Sequence, residues 1–385
     1  MTALYIDTPN QLTALCEQLR RHDWLTLDTE FLREKTYRPR LCLLQVANPE
    51  VIACIDPLAL DDLSPLLEVL YDTGITKVLH AAHQDLEIFF EMRGTLPAPV
   101  FDTQIAATLL GHGDQIGYGN LVKAELGIEL DKAHARTDWC HRPLDDAQLD
   151  YAADDVRHLR EIYLRQRQKL AELGREEWLL ADFDELVDSS RYSNPPEEAW
   201  RRVKGSNRLR GVQLAVLQSL ASWREQQAQQ SNRPRRWILK DEVLLDLAKQ
   251  MPTDEGRLRR IRGLEEGSVQ RHGTTLLKCI AEAKRLPKEQ WPTLKEGQRL
   301  SPEQEPLVDM LMALLRERCR QQCISPSAVA GRRELERLVL GESGIPLLHG
   351  WRAAIAGQAL QALLHGELTL WIEQGRLMVS DKQQP

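Results

Sequence analysis

No stretch of this 385-residue chain has the length of a membrane span. The longest candidate, Leu307 to Leu315, is short and contains Asp309, so it reads as an amphipathic core helix. No leader is expected either. The opening MTALYIDTPNQL is polar and mixed, with no basic stretch ahead of an apolar one, so neither a signal nor a transit peptide is indicated. The expectation is a soluble, cytoplasmic protein. Cysteine is sparse: seven are scattered over the chain, an odd number that implies no disulfide framework, and reduced core cysteines are expected. Cys319 and Cys323 are four apart, but no second Cys/His pair lies near enough to close a zinc site. Two catalytic signatures are missing. There is no G-x-S-x-G nucleophile elbow and no G-x-x-x-x-G-K-[ST] phosphate loop, so serine hydrolysis and nucleotide-driven motors such as helicases find no support.

What is present is apolar content of 42%, ample for packed cores, and a length that calls for two or three domains. Charge is uneven along the chain. Residues 1–190 hold 18 basic against 34 acidic side chains, net −16; residues 191–290 hold 21 against 12, net +9; residues 291–385 are balanced at 11 and 11. An acidic block joined to a basic one suits a polyanionic partner, the basic part anchoring it and the acidic part holding cations.

The first half alternates short apolar runs with helical patterns, which predicts a mixed sheet with helices packed on it. Strands are expected at Trp24 to Asp28, Leu41 to Ala47, Val51 to Ile55 and Lys77 to Ala81. A long helix is expected from Leu144-Asp145 to Leu173, opened by acidic residues and stopped by Gly174. SSRYSNPPEEAW marks a boundary, and beyond it the pattern is helical throughout, in two segments of similar plan.

Within the acidic block, Asp28 and Glu30 stand two apart at the end of the apolar run WLTL, so a strand presents both on one face and Thr29 on the other. Two acids there repel unless a cation lies between them. Asp85 opens a helix after the strand KVLHAA, where it could equally serve as a first-turn acid; Asp102 has the same strand-to-helix context and is assigned to capping. Tyr151 and Asp155 are four apart on the long helix and share a face. Four carboxylates and a phenol that converged would form an all-oxygen site for Mg2+ or Mn2+. Two such ions about 4 Å apart can activate water and stabilise a leaving oxygen in attack on phosphorus.

At this point LDTEF, HAAHQDLEIF and YAADDV resemble the three exonuclease motifs of the DEDD superfamily in its tyrosine-bearing DEDDy branch. The whole chain is similar to the ribonuclease D family. The resemblance implies a ribonuclease H-like α/β exonuclease domain at 1–190 and a linker at 191–206. Two all-α HRDC-like helical domains would follow at 207–291 and 298–380. It implies a 3'-to-5' exoribonuclease that releases 5'-mononucleotides and trims tRNA precursors and other small structured RNAs. Asp28, Glu30, Asp85 and Asp155 would hold two metals and Tyr151 would position water. Phe31, Gln45 and His80 lie close to these motifs and could contact the terminal nucleotide. One departure is Gln84, where an acid is expected; the spacing from Tyr151 selects Asp155 over its neighbour Asp154.

In the basic block, Arg233, Arg235, Arg236, Trp237 and Lys240 place an aromatic among cations, a composition suited to phosphate contact and base stacking. RNA is the expected partner of a monomeric chain that binds no membrane. Two other readings compete: a DNA 3'-exonuclease, since the metal site does not itself select the sugar, and a nucleic-acid-binding scaffold, against which all five catalytic positions are present.

Overall fold

The computed structural model describes residues 2–131, 137–294 and 299–381. The chain forms two compact units, one from Met1–Glu30, Cys42–Asp188 and Gln298–Pro385, the other from Phe31–Leu41 and Ser189–Gly297.

The first unit is built on a six-stranded sheet of β1 (Leu4–Ile6), β2 (Trp24–Leu32), β3 (Arg40–Ala47), β4 (Ile52–Ile55), β5 (Thr76–Leu79) and β6 (Val100–Asp102), in the order β1-β4-β3-β2-β5-β6. β3 runs antiparallel to β4, whereas β1 is parallel to β4, and β5 is parallel to both β2 and β6. Its helices are α1 (Pro9–Leu19), α2 (Ser64–Leu70), α3 (His83–Arg93), α4 (Thr103–Leu109), α5 (Tyr118–Leu126) and α6 (Asp146–Glu172), then the short α7 (Leu180–Leu186). Trp24, Leu25, Thr26 and Leu27 are all buried, as a central strand covered on both faces requires. Asp145 caps α6 in a reciprocal box with Gln148, and Gly174, at φ +63°, follows its end.

The second unit carries α8 (Val212–Ser231), α9 (Arg235–Ile238), α10 (Asp241–Gln250), α11 (Glu255–Leu258) and α12 (Glu266–Arg285). Its core takes Leu217, Leu220, Leu244, Leu247, Leu276 and Ile280 from the long helices, together with Ala199, Trp200 and Val203. Residues 191–206, expected as a linker, therefore supply core: Trp200 has no exposed surface.

From residue 298 the chain belongs to the first unit again. α13 (Glu305–Gln321), α14 (Pro326–Val329) and α15 (Arg332–Val339) share one apolar cluster with Leu159, Leu170 and Leu179. Directed bonds reinforce it. Arg175 donates to the Leu109 and Gln322 carbonyls, both at 2.7 Å, and Ser325 N donates to Thr108 O at 3.0 Å. Trp351 stacks on Trp178 at 4.9 Å, and Arg352 grips Asp182 with two bonds of 2.7 and 2.8 Å.

Two expectations are corrected. The all-helical pattern of the C-terminal segment gives way to an antiparallel hairpin, β7 (Leu368–Glu373) and β8 (Arg376–Asp381). Gln374 and Gly375 both take positive φ, +48° and +73°, the turn that matches strand twist. Cys42 and Cys140, expected reduced, form a disulfide with Cα atoms 5.1 Å apart. Arg142 brings the two segments together by donating to the Cys42 carbonyl at 2.6 Å. Cys319 is buried in the apolar cluster and Cys323 is exposed. No helix among the described residues is long and apolar enough to cross a membrane.

Candidate active site

Side-chain alternation turns Asp28 and Glu30 to one face of β2, and α6 must cross that strand for its acids to meet them. The crossing is fixed from below. The Thr26 hydroxyl, two residues before Asp28, lies 3.0 Å from the Val156 carbonyl of α6 and 3.2 Å from the Ala47 carbonyl of β3. With the Val156 backbone pinned there, Asp155 faces the strand. Carboxylate oxygens of Asp28, Glu30 and Asp155 then all lie within 4.8 Å of one another.

Asp85 stands beside this trio, in the first turn of α3. Thr29, the residue that alternation turns away from Asp28 and Glu30, donates its hydroxyl to Asp85 Oδ1 at 2.5 Å. The start of α3 is held by Asp102, which accepts from Ala81 N and Ala82 N at 3.2 and 2.9 Å while capping α4 through Gln104 N at 2.7 Å. Ala81 sits at φ +56°, a left-handed conformation uncommon for a residue with a Cβ, and the Asp102 bonds hold it in place. Asp102 thus caps α4 and also holds the start of α3, the helix that carries Asp85.

The electrostatics are those of acids crowded together. Asp28 is pushed well above the ordinary carboxylate value by burial, then by the charges of Asp155, Asp85 and Glu30. Glu30 rises to about 8 through burial and the same neighbours Asp155 and Asp85. Asp85 rises to about 7 through burial, against the lowering bond from Thr29, and Asp155 to about 7 through burial and Asp154. Such perturbation in one cluster makes it a candidate functional site, and a bound cation would reverse it. The Tyr151 phenol is pushed up to about 12 by burial and by Asp155, Glu30 and Asp28, so it keeps its proton at neutral pH. Asp154 pairs with Arg157, and its carbonyl accepts from Tyr118 Oη at 2.9 Å.

The expected nucleotide contacts divide. Phe31 follows Glu30 on β2 and is half-buried. Gln45 has no exposed surface, because the middle of β3 is enclosed on both faces. His80 has both ring nitrogens engaged, with Thr103 Oγ1 at 3.0 Å and the Ile116 carbonyl at 2.9 Å. As placed, neither Gln45 nor the His80 nitrogens are available to a nucleotide.

In the second unit Arg233, Arg236 and Lys240 are exposed, and Trp237 is 52% exposed. Arg235 is occupied. It binds Glu225 with two bonds of 2.5 and 2.6 Å and lies over the Tyr37 ring at 5.0 Å. Burial works against the Glu225 charge, and the bonds from Arg235 and Tyr37 outweigh it, leaving its pKa below the ordinary value. Asn232 Oδ1 accepts from Tyr37 N and Arg38 N at 3.1 and 3.0 Å. Arg33, Thr36, Tyr37, Arg235 and Arg236 line a cleft of about 380 Å³ within this unit. Sequence reasoning passed over Thr29, Tyr118 and Trp139; only the alternation around Asp28 hinted at the first.

Residues 4–171 match the family model described as 3'-5' exonuclease, and residues 213–280 match the HRDC domain. A ribonuclease D of Gluconacetobacter diazotrophicus is 42% identical over 97% of this chain and 95% of its own length. One of Granulibacter bethesdensis is 41% identical over 96% and 94%. The crystal structure of Escherichia coli RNase D, described as an exoribonuclease involved in structured RNA processing, aligns with a TM-score of 0.82 at 35% identity, covering 95% of this chain and 99% of that one.

Proposed function

The chain belongs to the ribonuclease D family of 3'-5' exoribonucleases, and from that premise we propose that it trims the 3' ends of tRNA precursors and other small structured RNAs by two-metal-ion hydrolysis, releasing 5'-mononucleotides. The convergence of Asp28, Glu30 and Asp155 within 4.8 Å carries this reading. Four buried or half-buried carboxylates, crowded together with raised pKa values, fit a hard divalent cation, Mg2+ or Mn2+. When bound, the cations supply Lewis-acid activation of water and neutralise charge at the leaving oxygen.

The chain's own residues do the rest. Asp28, Glu30, Asp85 and Asp155 provide the oxygen ligands, and Thr29 orients the Asp85 carboxylate. Tyr151, protonated at neutral pH, orients the attacking water through its hydroxyl and does not act as a standing base. Phe31 packs against the terminal nucleotide. Arg233, Arg236 and Lys240 contact phosphates, and Trp237 stacks a base. The HRDC-like segment at 298–380 supports the catalytic unit by packing, in a cytoplasmic enzyme that works as a monomer. The structured-RNA description of the Escherichia coli protein supports the substrate class.

A gel time course on 5'-labelled tRNA precursor with a 3' extension, and on DNA of the same sequence, tests the proposal with wild type and Asp155→Asn. A ladder shortening from the 3' end on RNA, absent with EDTA and in the variant, is expected. Equal cleavage by the variant would overturn the site assignment, and equal cleavage of DNA the substrate class.

A further inference from the structure

The segment 137–143, which no motif singles out, forms a strap whose indole lies against the proposed catalytic tyrosine. Trp139 is 5% exposed, and its ring stacks on Tyr151 with centroids 6.1 Å apart and planes inclined by 27°. That separation and tilt suit an offset aromatic pair. The strap itself is rigidly held. Arg142 donates to the Trp139 carbonyl at 2.7 Å and to the His141 carbonyl at 2.9 Å. Its guanidinium forks onto Asp56, just past β4, at 2.6 and 2.8 Å, and reaches Cys42 O on β3 at 2.6 Å. Asp56 is in turn bound by the Tyr5 hydroxyl at 2.5 Å and is 2% exposed. Nε and Nη2 of the fork thus hold Asp56 and the β3 carbonyl while Nη1 holds the strap's own carbonyls, an arrangement with more geometric demand than a single ion pair.

We propose that Trp139 is a positioning residue for hydrolysis: the indole, anchored through Arg142 to Asp56, fixes the ring of Tyr151 so that its hydroxyl meets the attacking water. The inference rests on the reading of Tyr151 given above and adds a residue that acts through it. Tyr151 projects from the first turns of α6, and helix geometry sets where its Cα lies but leaves the ring's rotation about its side-chain torsions open. The indole face restricts that freedom. A displacement of about 1 Å at such a group costs up to about a hundredfold in rate.

The test is a double-mutant cycle of Trp139→Ala and Tyr151→Phe, read as single-turnover and steady-state kinetics on a 5'-labelled oligoribonucleotide with Mn2+. Expected are a kcat for Trp139→Ala lower by about 10- to 100-fold, a KM within about twofold, and recovery of most activity in Trp139→Phe. The double variant should be no slower than Tyr151→Phe alone. Multiplicative losses, or a normal kcat in Trp139→Ala, overturn the proposal. If the alanine variant does not fold, Trp139→Leu replaces it: Leu slow and Phe fast at equal thermal midpoints supports the role, and Leu equal to Phe overturns it. Full activity in Tyr151→Phe would instead sink the reading of Tyr151 itself, and this inference with it.

Discussion

Glu30→Gln is expected to make the metal-free protein more stable and the enzyme inactive. In the unfolded chain Glu30 titrates near 4.5; in the fold, burial and the charges of Asp155 and Asp85 push it to about 8. Between those values the native state holds a proton that the unfolded state has released. Stability is therefore greatest below about pH 4.5, falls as pH rises, and levels off above about pH 8. At about 1.4 kcal/mol per pH unit the full gap corresponds to an upper bound of about 5 kcal/mol. The neighbouring acids take up protons in concert and the half-buried site relaxes, so about 2 kcal/mol is expected at pH 8. For a unit of this size that raises the thermal midpoint by roughly 4–8 °C. The assay is thermal unfolding of wild type and variant in EDTA at about pH 5 and about pH 8, repeated with Mn2+. The gain should be small at the lower pH and full at the higher. Mn2+ should stabilise wild type more than the variant, narrowing or reversing the order. A variant no more stable at pH 8, or a gain independent of pH, would refute the crowded-charge account.

Two further outcomes follow from named contacts. Thr29→Val keeps the shape of the side chain and removes the hydroxyl that donates to Asp85; kcat should fall about tenfold with weaker Mn2+ affinity and an unchanged fold, measured by kinetics and calorimetry. Arg235→Ala and Arg236→Ala should separate structure from binding. The first leaves Glu225 buried with only weaker partners and should destabilise by about 3 kcal/mol. The second should leave the thermal midpoint in place, weaken RNA binding, and reduce the slope of log affinity against log salt by about one.

Local chemistry was legible in the chain, and long-range placement was not. The apolar run before Asp28 announced β2, and Asp145 and Gly174 announced the ends of α6, because strand burial, caps and left-handed stops depend on neighbours in sequence. β1 was missed because three residues give no period to read. The crossing of α6 over β2 depends on Thr26 meeting Val156 across 130 residues, which no local pattern encodes. Gln45 was misjudged because proximity to a motif says nothing about depth in a sheet covered on both faces. Arg235 was misjudged because its partner lies on another helix, although one sign existed: Glu225 falls between Ala221 and Ala228 on the apolar stripe of α8, and an acid buried there needs a cation. The hairpin at 368–381 was hidden by the helices before it, while its alternation around Gln374-Gly375 was there to be read.

One cation site formed by Asp28, Glu30, Asp85 and Asp155 is proposed to drive hydrolysis of RNA from its 3' end. Counting bound Mn2+ by electron paramagnetic resonance, in wild type and in Asp28→Asn, tests it most directly. The account predicts about two Mn2+ per wild-type chain and loss of at least one in the variant. Full binding retained by the variant, or none by wild type, would contradict it.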